Sequence, residues 1–416
     1  MTASGSAPTV PMVHVQGSTG HSPVPPSGAP PAAPTTCHAR HHALRSFSWH
    51  RGDSGDPAEL LTGFLADNGL PVRNLGRSDD KYRTNSHSTI CGASLYVSTD
   101  AGSVMINATP GGPSPVPVIP DVYAVVWIHT TDVTSGSTPE WELGSWAESW
   151  TPAEHARAVQ DVRDAIGRGD VYQVNVVGHG SAPYVGNPTA ALGRVAALAG
   201  ARYGGILSAT DGRWAIATAS PETLVEVRDG RVITRPIKGT RPATAEGRRE
   251  LLASAKERAE HVMIVDLERN DLARLPGTGP VRVDELFAVR EWSGLWQAES
   301  VVSAEISGDV GLAELLRAVC PGGSVTGAPK MAALAQIAAL EPVGRGVSMG
   351  ALGWIGHDHL DLGLSIRTVA VDGARVHTWA GGGITADSDP AAEVAEAAAK
   401  CRPLRAALAS PVSAGA

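Results

Sequence analysis

One lysine in the middle of the chain has the local sequence of a nucleophile. Lys238 lies in the segment Arg235-Pro-Ile-Lys-Gly-Thr-Arg-Pro242, after the apolar run Arg231–Thr234, which we interpret as a strand. The proline and the glycine beside the lysine predict a tight, rigid turn. The arginines on either side disfavour a protonated amine, and so does burial. A neutral amine can attack an electrophilic carbon, although a surface lysine in a basic loop is the simpler alternative.

Two helical segments each carry a pair of glutamates three residues apart. Glu257 and Glu260 lie in one segment, and Glu393 and Glu396 lie in the other. Residues at this spacing share a helix face. We expect these carboxylates to lack lysine partners one turn away and to form together a Mg²⁺ site that water and substrate oxygens complete. On spacing alone, two acidic solvent-exposed faces are an equal alternative.

Glycines and one arginine could hold the carboxylates of a substrate. The glycine runs at 322–327 and 381–383 let backbone N–H groups come close to a ligand. The first run lacks the Lys-Ser/Thr of a phosphate-binding loop, so nucleotide binding is not predicted. Arg367 lies in an apolar run that we interpret as mid-strand, where it needs a carboxylate from a substrate or from a structural ion pair. Together with Lys238, these features predict an enzyme for a small dianionic substrate.

The elements that must position these residues are a mixture of strands and helices. The capping box Thr151-Pro-Ala-Glu154 predicts the start of a helix. Helices are predicted near 57–68, 150–169, 188–198, 247–275, 312–319 and 331–340 and after 390, and strands near 91–97, 123–128, 170–177, 204–207, 214–218, 350–355, 362–371 and 379–384. The periodicity therefore indicates an α and β protein without fixing the arrangement of its elements.

The composition divides the chain into four parts. Residues 1–45 are rich in Pro, Ser, Ala and Thr and predict a disordered tail, with structure beginning near Phe47. We interpret 46–149 as a β-rich N-terminal region, 150–410 as the catalytic core and 411–416 as a second tail. No function is assigned to the short His- and Cys-containing tract Cys37–His42 at the end of the first tail.

Charge and cysteine content limit the possible partners and the compartment. A net charge of −8 and a pI near 6.0 argue against a nucleic-acid binder, which needs a basic face. The four cysteines are far apart and form no CxxC pair, so neither a disulfide framework nor a zinc ribbon is expected. No apolar run approaches the roughly 18–20 residues that cross a membrane. We expect a cytoplasmic protein that binds neither nucleic acid nor membrane.

A series of motifs in the second part of the chain resembles the chorismate-utilising enzymes. The motifs are GDVYQVN (169–175), SPE (220–222), RPIKGTRP (235–242), AEHVMIVDLERNDLARL (259–275), PGGSVTGAPK (321–330), GALGWIG (350–356), SIRT (365–368), AGGGITADSDP (380–390) and EVAE (393–396). Residues 46–150 match only loosely and 1–45 not at all. The resemblance implies an α+β fold in which antiparallel β-sheets pack face to face, helices flank them, and the active site lies in the cleft between two halves.

The resemblance also implies catalytic roles. The PIKGT form around Lys238 is similar to the aminodeoxychorismate synthase branch of the family, whereas anthranilate synthases usually carry a small residue there. In that branch the lysine attacks ring carbon C2 and expels the 4-hydroxyl, and ammonia then enters at C4 to give 4-amino-4-deoxychorismate. Glu222 matches the family's acid, which protonates the poor hydroxide leaving group. From the residues alone, we would interpret Glu222 as a helix cap after Pro221.

The family pattern further implies a metal and a substrate pocket. Glu260 and Glu396 would bind Mg²⁺ directly, with Glu257 and Glu393 in support, and the metal would make the ring more electrophilic. The implied substrate-binding residues are Gln173, Gly239, Thr240, Trp354, Arg367, Gly381, Gly382 and Gly383.

Three positions depart from relatives within the family. Members that add water carry a lysine where this chain has Gln173, which argues against isochorismate and salicylate synthesis. Ser300 stands where the family often has a histidine. Trp354 replaces a tyrosine, so it can pack against the enolpyruvyl group but cannot donate a phenolic hydrogen bond.

The nitrogen source is expected on another polypeptide. No glycine-flanked nucleophilic cysteine with a downstream histidine is evident, so ammonia would come from a separate glutamine amidotransferase subunit or from ammonium in solution. Two alternatives stay open at this point. One is amination at C2, as in anthranilate synthesis. The other is a binding subunit without activity, which the replacement at Ser300 suggests.

Overall fold

The computed structural model describes residues 40–76, 90–130, 141–292, 295–307 and 309–409. The helices of these residues are α1 (Pro57–Asp67), α2 (Thr99–Met105), α3 (Pro152–Arg168), α4 (Thr189–Ala196), α5 (Ala245–Ala253), α6 (Ala255–Leu272), α7 (Leu312–Val319), α8 (Lys330–Leu340) and α9 (Pro390–Ala409), with a 3-10 turn at Gly323–Val325. In the same residues, no helix is long and apolar enough to cross a membrane.

The strands occur between these helices, singly or in runs of up to five. They are β1 (Arg40–Trp49), β2 (Ile90–Val97), β3 (Val122–Thr130), β4 (Trp141–Leu143), β5 (Ala147–Glu148), β6 (Gln173–Gly186), β7 (Tyr203–Ser208), β8 (Ala215–Ser220), β9 (Thr223–Arg228), β10 (Arg231–Arg235), β11 (Ile237–Pro242), β12 (Arg282–Trp292), β13 (Leu295–Glu305), β14 (Gly327–Ala328), β15 (Ala351–Ile355), β16 (His359–Leu364), β17 (Thr368–Val371) and β18 (Arg375–Ile384).

The strands form two large antiparallel sheets. The ten-stranded sheet runs in the order β1-β3-β2-β15-β16-β9-β10-β13-β11, with β12 paired to β13. The eight-stranded sheet runs β14-β6-β18-β17-β8-β7, with β4 and β5 paired to β6. The largest cluster of buried apolar side chains includes Val225 and Leu362 of the first sheet and Ile216 and Trp379 of the second. The sheets therefore pack face to face, and the predicted α+β fold class is confirmed.

Local sequence signals predicted some elements well. Thr151 caps α3 by accepting a hydrogen bond from the Glu154 amide at 3.2 Å, and the Glu154 carboxylate accepts one from the Thr151 amide at 2.7 Å. The single helix predicted over 247–275 is wrong. The chain forms α5 and α6 instead, because Ser254 adopts an extended conformation and its hydroxyl caps α6.

The beginning of the ordered chain differs from the expectation. Strand β1 starts at Arg40 and pairs with β3 from Arg40 to Trp49, so strand pairing begins before the boundary expected at residue 46. Residues 1–39 and 411–416, which include most of both expected tails, lie outside the described residues. The division between an N-terminal region and a core at 149/150 stays a prediction.

Candidate active site

The chain passes between the two sheets at two adjacent points, and each carries a candidate residue. Glu222 lies between β8 of the eight-stranded sheet and β9 of the ten-stranded sheet. Arg367 lies between β16 and β17, where the chain crosses in the opposite direction. The Ala219 amide donates to the Arg367 carbonyl and the Leu364 amide donates to the Glu222 carbonyl, each at 3.0 Å. These bonds fix both residues at the junction of the sheets.

Arg367 does not lie mid-strand, so that prediction is wrong. Its φ of 48° is left-handed, and it interrupts the strand predicted over 362–371 because the chain changes sheet there. Burial lowers the pKa of its guanidinium, and the charge of Glu222 partly opposes this. No carboxylate in the described part of the chain forms an ion pair with it. The structural ion pair considered from the sequence is thus not formed, which leaves a half-buried cation for an anionic ligand.

Glu222 has the environment of a proton donor. Its side chain is buried, with 5% of the residue exposed, and its Oε1 has no hydrogen-bond partner among the described residues. Burial raises the pKa of this carboxyl, while Lys238, a hydrogen bond from Ser324 and the Ile237 amide partly oppose the change. A helix-capping role is excluded because the next element, β9, is a strand. A carboxyl that retains its proton to higher pH suits general acid catalysis.

Lys238 lies on a bulged strand and not on a tight turn, which corrects the prediction. It pairs with Ala298 of β13, and the register shifts between Lys238 and Thr240. The bulge residue is Gly239, whose φ is +71°. A Cβ at Gly239 would lie 2.6 Å from Leu251 Cδ1 and 3.1 Å from Glu257 Oε2, so glycine is required for both conformation and space.

The arginines beside Lys238 are neutralised by other partners. Arg235 forms an ion pair with Glu226 at 3.3 Å, and Arg241 forms one with Glu257 at 3.4 Å. The two arginines therefore flank Lys238 as predicted from the sequence, but each is paired with a glutamate. The side chain of Lys238 is half-buried.

Lys238 instead belongs to one electrostatic cluster with carboxylates from both helices. Burial raises the pKa of Glu260, Lys256 and Lys238 oppose this, and Glu257 and Glu393 add repulsion. Since Glu260 is on α6 and Glu393 is on α9, the fold brings the two predicted glutamate pairs together. For Glu396, burial acts to raise the pKa, but Lys400, Lys256 and Lys238 outweigh burial and lower it.

The expectation that the glutamates lack lysine partners is wrong. Lys256 lies 3.7 Å from Glu260, and Lys400 lies 2.7 Å from Glu396, each at a spacing of four residues on one helix. Lys400 also donates to the Gly381 carbonyl at 2.8 Å, which attaches α9 to β18. The i,i+4 spacing alone could have identified both lysines in the sequence.

The four glutamates could hold a hard cation, but they are not gathered tightly. Their oxygen donors are the type that Mg²⁺ prefers. The only group of three potential ligand atoms within 4.8 Å of one another in the described residues lies elsewhere. Each of the four carboxylates has a partner of its own: Lys256, Lys400 and Arg241 as above, and the Ser388 hydroxyl, which donates to Glu393 at 2.7 Å.

Neighbouring groups approach three glycines of β18 closely. A Cβ at Gly381 would lie 1.9 Å from the Val176 carbonyl, and one at Gly382 would lie 2.9 Å from Glu393 Oε2. A Cβ at Gly383 would lie 2.0 Å from Gln173 Nε2. Gln173 is 1% exposed, and its Oε1 has no partner in the described structure. These residues form the wall of the site on the eight-stranded sheet.

Two predicted substrate residues are not brought into this cluster. Trp354 packs its indole against Gly92 and Gly356, and a Cβ at Gly92 would lie 2.3 Å from indole Cζ2. The indole of Trp354 therefore lies against β2, and its predicted role in substrate binding stays a prediction. Thr240 is exposed on β11 beyond the bulge, and its role stays a prediction.

Ser300, which stands where the family often has a histidine, contacts a histidine from another element. Ser300 is fully buried, and its hydroxyl accepts a hydrogen bond from the Phe287 amide at 2.9 Å. The same oxygen lies 2.6 Å from Nε2 of His261, the residue after Glu260. Burial, with help from Lys238, lowers the pKa of His261 to about 4, so the imidazole is neutral at pH 7. Sequence reasoning missed His261 although it lies in the quoted motif AEHV.

The protein is thus an α+β fold of two facing antiparallel sheets, with the buried carboxyl of Glu222 and the guanidinium of Arg367 at their junction. Residues 119–406 match the family model described as chorismate binding enzyme. The chain belongs to this family.

Relatives within the family carry different activities in their names. The anthranilate synthase component 1 of Streptomyces coelicolor is 41% identical over 264 residues, which cover 62% of this chain and 52% of the relative. The aminodeoxychorismate synthase component 1 of Salmonella typhimurium is 36% identical over 266 residues, which cover 62% and 58%. The match thus spans slightly more than half the length of these relatives.

A solved structure supports the fold over most of the chain. The anthranilate synthase component I of Streptococcus pneumoniae superposes with a TM-score of 0.68 and 24% identity, covering 91% of this chain and 95% of the other. At this identity the likeness shows the fold and not the reaction.

Proposed function

We propose that this chain is the chorismate-aminating subunit of an aminodeoxychorismate synthase, which converts chorismate and ammonia to 4-amino-4-deoxychorismate. The observation that carries the proposal is the position of Lys238. Its charge opposes the burial that raises the pKa of Glu222 and Glu260, and it helps to lower the pKa of Glu396, so the lysine is close enough to act on carboxylates from three parts of the chain.

The buried carboxyl and the lysine can divide the proton transfers between them. Attack requires the neutral amine, and Glu222 can accept the proton that the ammonium form of Lys238 gives up. The nitrogen then bonds to C2, the ring double bonds shift, and the 4-hydroxyl leaves as water with the proton from Glu222. Ammonia bonds to C4, the double bonds shift back, and Lys238 leaves C2 as a neutral amine. The new ammonium at C4 loses its extra proton to solvent.

The remaining residues would orient the substrate. Arg367, a half-buried cation without an ion pair in the described residues, would bind one substrate carboxylate. Glu257, Glu260, Glu393 and Glu396 would hold Mg²⁺, as their oxygen donors allow. When bound, the ion would neutralise the ring carboxylate and make the diene more electrophilic. Lys256 and Lys400 would have to release Glu260 and Glu396 first.

The nitrogen would come from a partner. Both relatives named above are called component 1, a name that implies a second component. We propose a glutamine amidotransferase subunit as the partner and ammonium at high concentration as its substitute.

A second candidate function is amination at C2 of the anthranilate synthase type. The observation that favours it is the 41% identity to the Streptomyces coelicolor relative, which is higher than the 36% to the Salmonella protein. Lys238 would then have no catalytic role, and its substitution would leave turnover unchanged.

Trapping the lysine separates these two functions. Protein incubated with chorismate and Mg²⁺ but without ammonia is quenched and its intact mass is measured. We expect an adduct of chorismate minus one water on the native protein and none on Lys238→Ala. Lys256→Met serves as the matched control and should keep the adduct. Full amination by Lys238→Ala would reject the covalent role.

A further inference from the structure

A second cluster of metal-ligating side chains lies on the N-terminal edge of the ten-stranded sheet, among elements that contribute none of the active-site residues above. It consists of His41 on β1, Cys91 on β2 and His129 on β3. One ligand atom of each lies within 4.8 Å of the other two. We propose that these residues form a transition-metal site with Zn²⁺ as its preferred ion.

The strand register brings the three residues together. His41 and His129 are directly opposite each other in the β1–β3 pair, and their ring centroids lie 5.3 Å apart. Cys91 is the extra residue of a β-bulge, because Ile90 pairs with Ile128 whereas Gly92 pairs with Trp127. A bulge changes the direction of a side chain. Here it brings the Cys91 thiol close enough to both imidazoles for the three side chains to bind one metal ion.

The donor set selects the class of metal. One thiolate and two imidazoles match borderline and soft ions such as Zn²⁺, Cu⁺ and Co²⁺, and they do not suit Mg²⁺. Tetrahedral zinc with bonds of about 2.0–2.3 Å needs ligand atoms roughly 3.4–3.8 Å apart. The present separations, each within 4.8 Å, would have to shorten by up to about 1.4 Å to reach that spacing. Water would supply the fourth ligand.

Accessibility and proton release are also compatible with binding. His129 is exposed and Cys91 is half-buried, so an ion can reach the site, while His41 anchors it from the buried side. The Cys91 thiol donates to the Trp127 carbonyl at 3.1 Å, and metal binding would replace this weak hydrogen bond by a metal–thiolate bond with release of the proton.

Cobalt titration of the full chain tests the proposal. Chelator-stripped protein under reducing conditions is titrated with Co²⁺ and scanned for ligand-field bands and thiolate-to-cobalt charge transfer. We expect one Co²⁺ per chain, displacement by Zn²⁺, and no effect of excess Mg²⁺. Cys91→Ser should lose the charge-transfer band, and His129→Ala should weaken binding about tenfold or more, since even outer-shell changes cost 10–100-fold.

Matched controls guard against other thiols and against misfolding. His42→Ala removes the exposed neighbour of His41, and Cys37→Ser removes a nearby thiol in sequence; both should keep the band. Circular dichroism of every variant without metal establishes folding. No charge-transfer band on the native chain at excess Co²⁺, a band that persists in Cys91→Ser, or one that disappears in Cys37→Ser would overturn the assignment.

Discussion

Glu222 links the stability of the fold to the chemistry of the site. Its side chain is almost fully buried, and one carboxylate oxygen lacks a hydrogen-bond partner in the described residues. Burial raises the pKa of the carboxyl above its ordinary value of 4.5. Because the folded form binds the proton more tightly than the unfolded form, the ionised carboxyl destabilises the protein at neutral pH. This cost disappears as the pH falls below 4.5, where both forms are protonated.

Glu222→Gln should therefore stabilise the protein while it inactivates the enzyme. Glutamine has nearly the shape of glutamate but no charge, so the substitution removes the cost of burying an ionised carboxyl, which Lys238 offsets only in part. We expect the unfolding free energy at pH 7.5 to rise by about 1 kcal/mol and the difference to vanish near pH 4. Loss of the general acid should reduce amination by about 10²–10⁴-fold.

Urea denaturation followed by fluorescence of the ten tryptophans measures the stability at both pH values. Glu226→Gln is the matched control. Glu226 forms ion pairs with Arg228 and Arg235, so its neutralisation should lower stability and leave amination largely intact. A Glu222→Gln variant that is less stable than the native protein at pH 7.5, or that turns over at the native rate, would refute the reasoning.

Three further substitutions test individual contacts. Arg367→Gln should lower kcat/KM by about 10–150-fold through lost charge-assisted hydrogen bonds to substrate, without lowering the melting temperature; a drop in melting temperature with unchanged kinetics would indicate a structural role. Lys400→Met removes the ion pair between Lys400 and Glu396, which contributes about 0.3–0.5 kcal/mol and competes with metal binding. The half-saturating Mg²⁺ concentration should therefore fall about twofold, and a rise would contradict a metal at this site. Gly381→Ala would place a Cβ 1.9 Å from the Val176 carbonyl oxygen and should cost about 1–3 kcal/mol in thermal unfolding, whereas Gly167→Ala, in open space on α3, should stabilise; equal effects would reject the close approach.

Local sequence patterns predicted the features that depend only on residues close together in the chain. The capping box at Thr151 and the shared faces of the glutamate pairs depend on contacts within one helix, and both were predicted correctly. The fold class and the family followed from motifs in register, because those motifs span the elements that meet at the junction of the sheets.

Features that depend on pairing between distant segments could not be predicted in this way. Arg367 reads as mid-strand because its neighbours are apolar, but only the change of sheet between β16 and β17 gives it a left-handed conformation. The bulge at Gly239 depends on the register with β13. The residues His41, Cys91 and His129 are far apart in the sequence and lie on three separate strands, so no motif spacing could reveal their cluster.

Product identification tests the central claim most directly. Purified protein is incubated with chorismate, Mg²⁺ and ammonium, with and without an aminodeoxychorismate lyase, and the products are weighed by mass spectrometry. We predict the mass of 4-amino-4-deoxychorismate, and 4-aminobenzoate only when the lyase is present. Anthranilate formed without the lyase would contradict amination at C4, and unconsumed chorismate, even with an amidotransferase partner supplied, would contradict the catalytic role of Lys238 and Glu222.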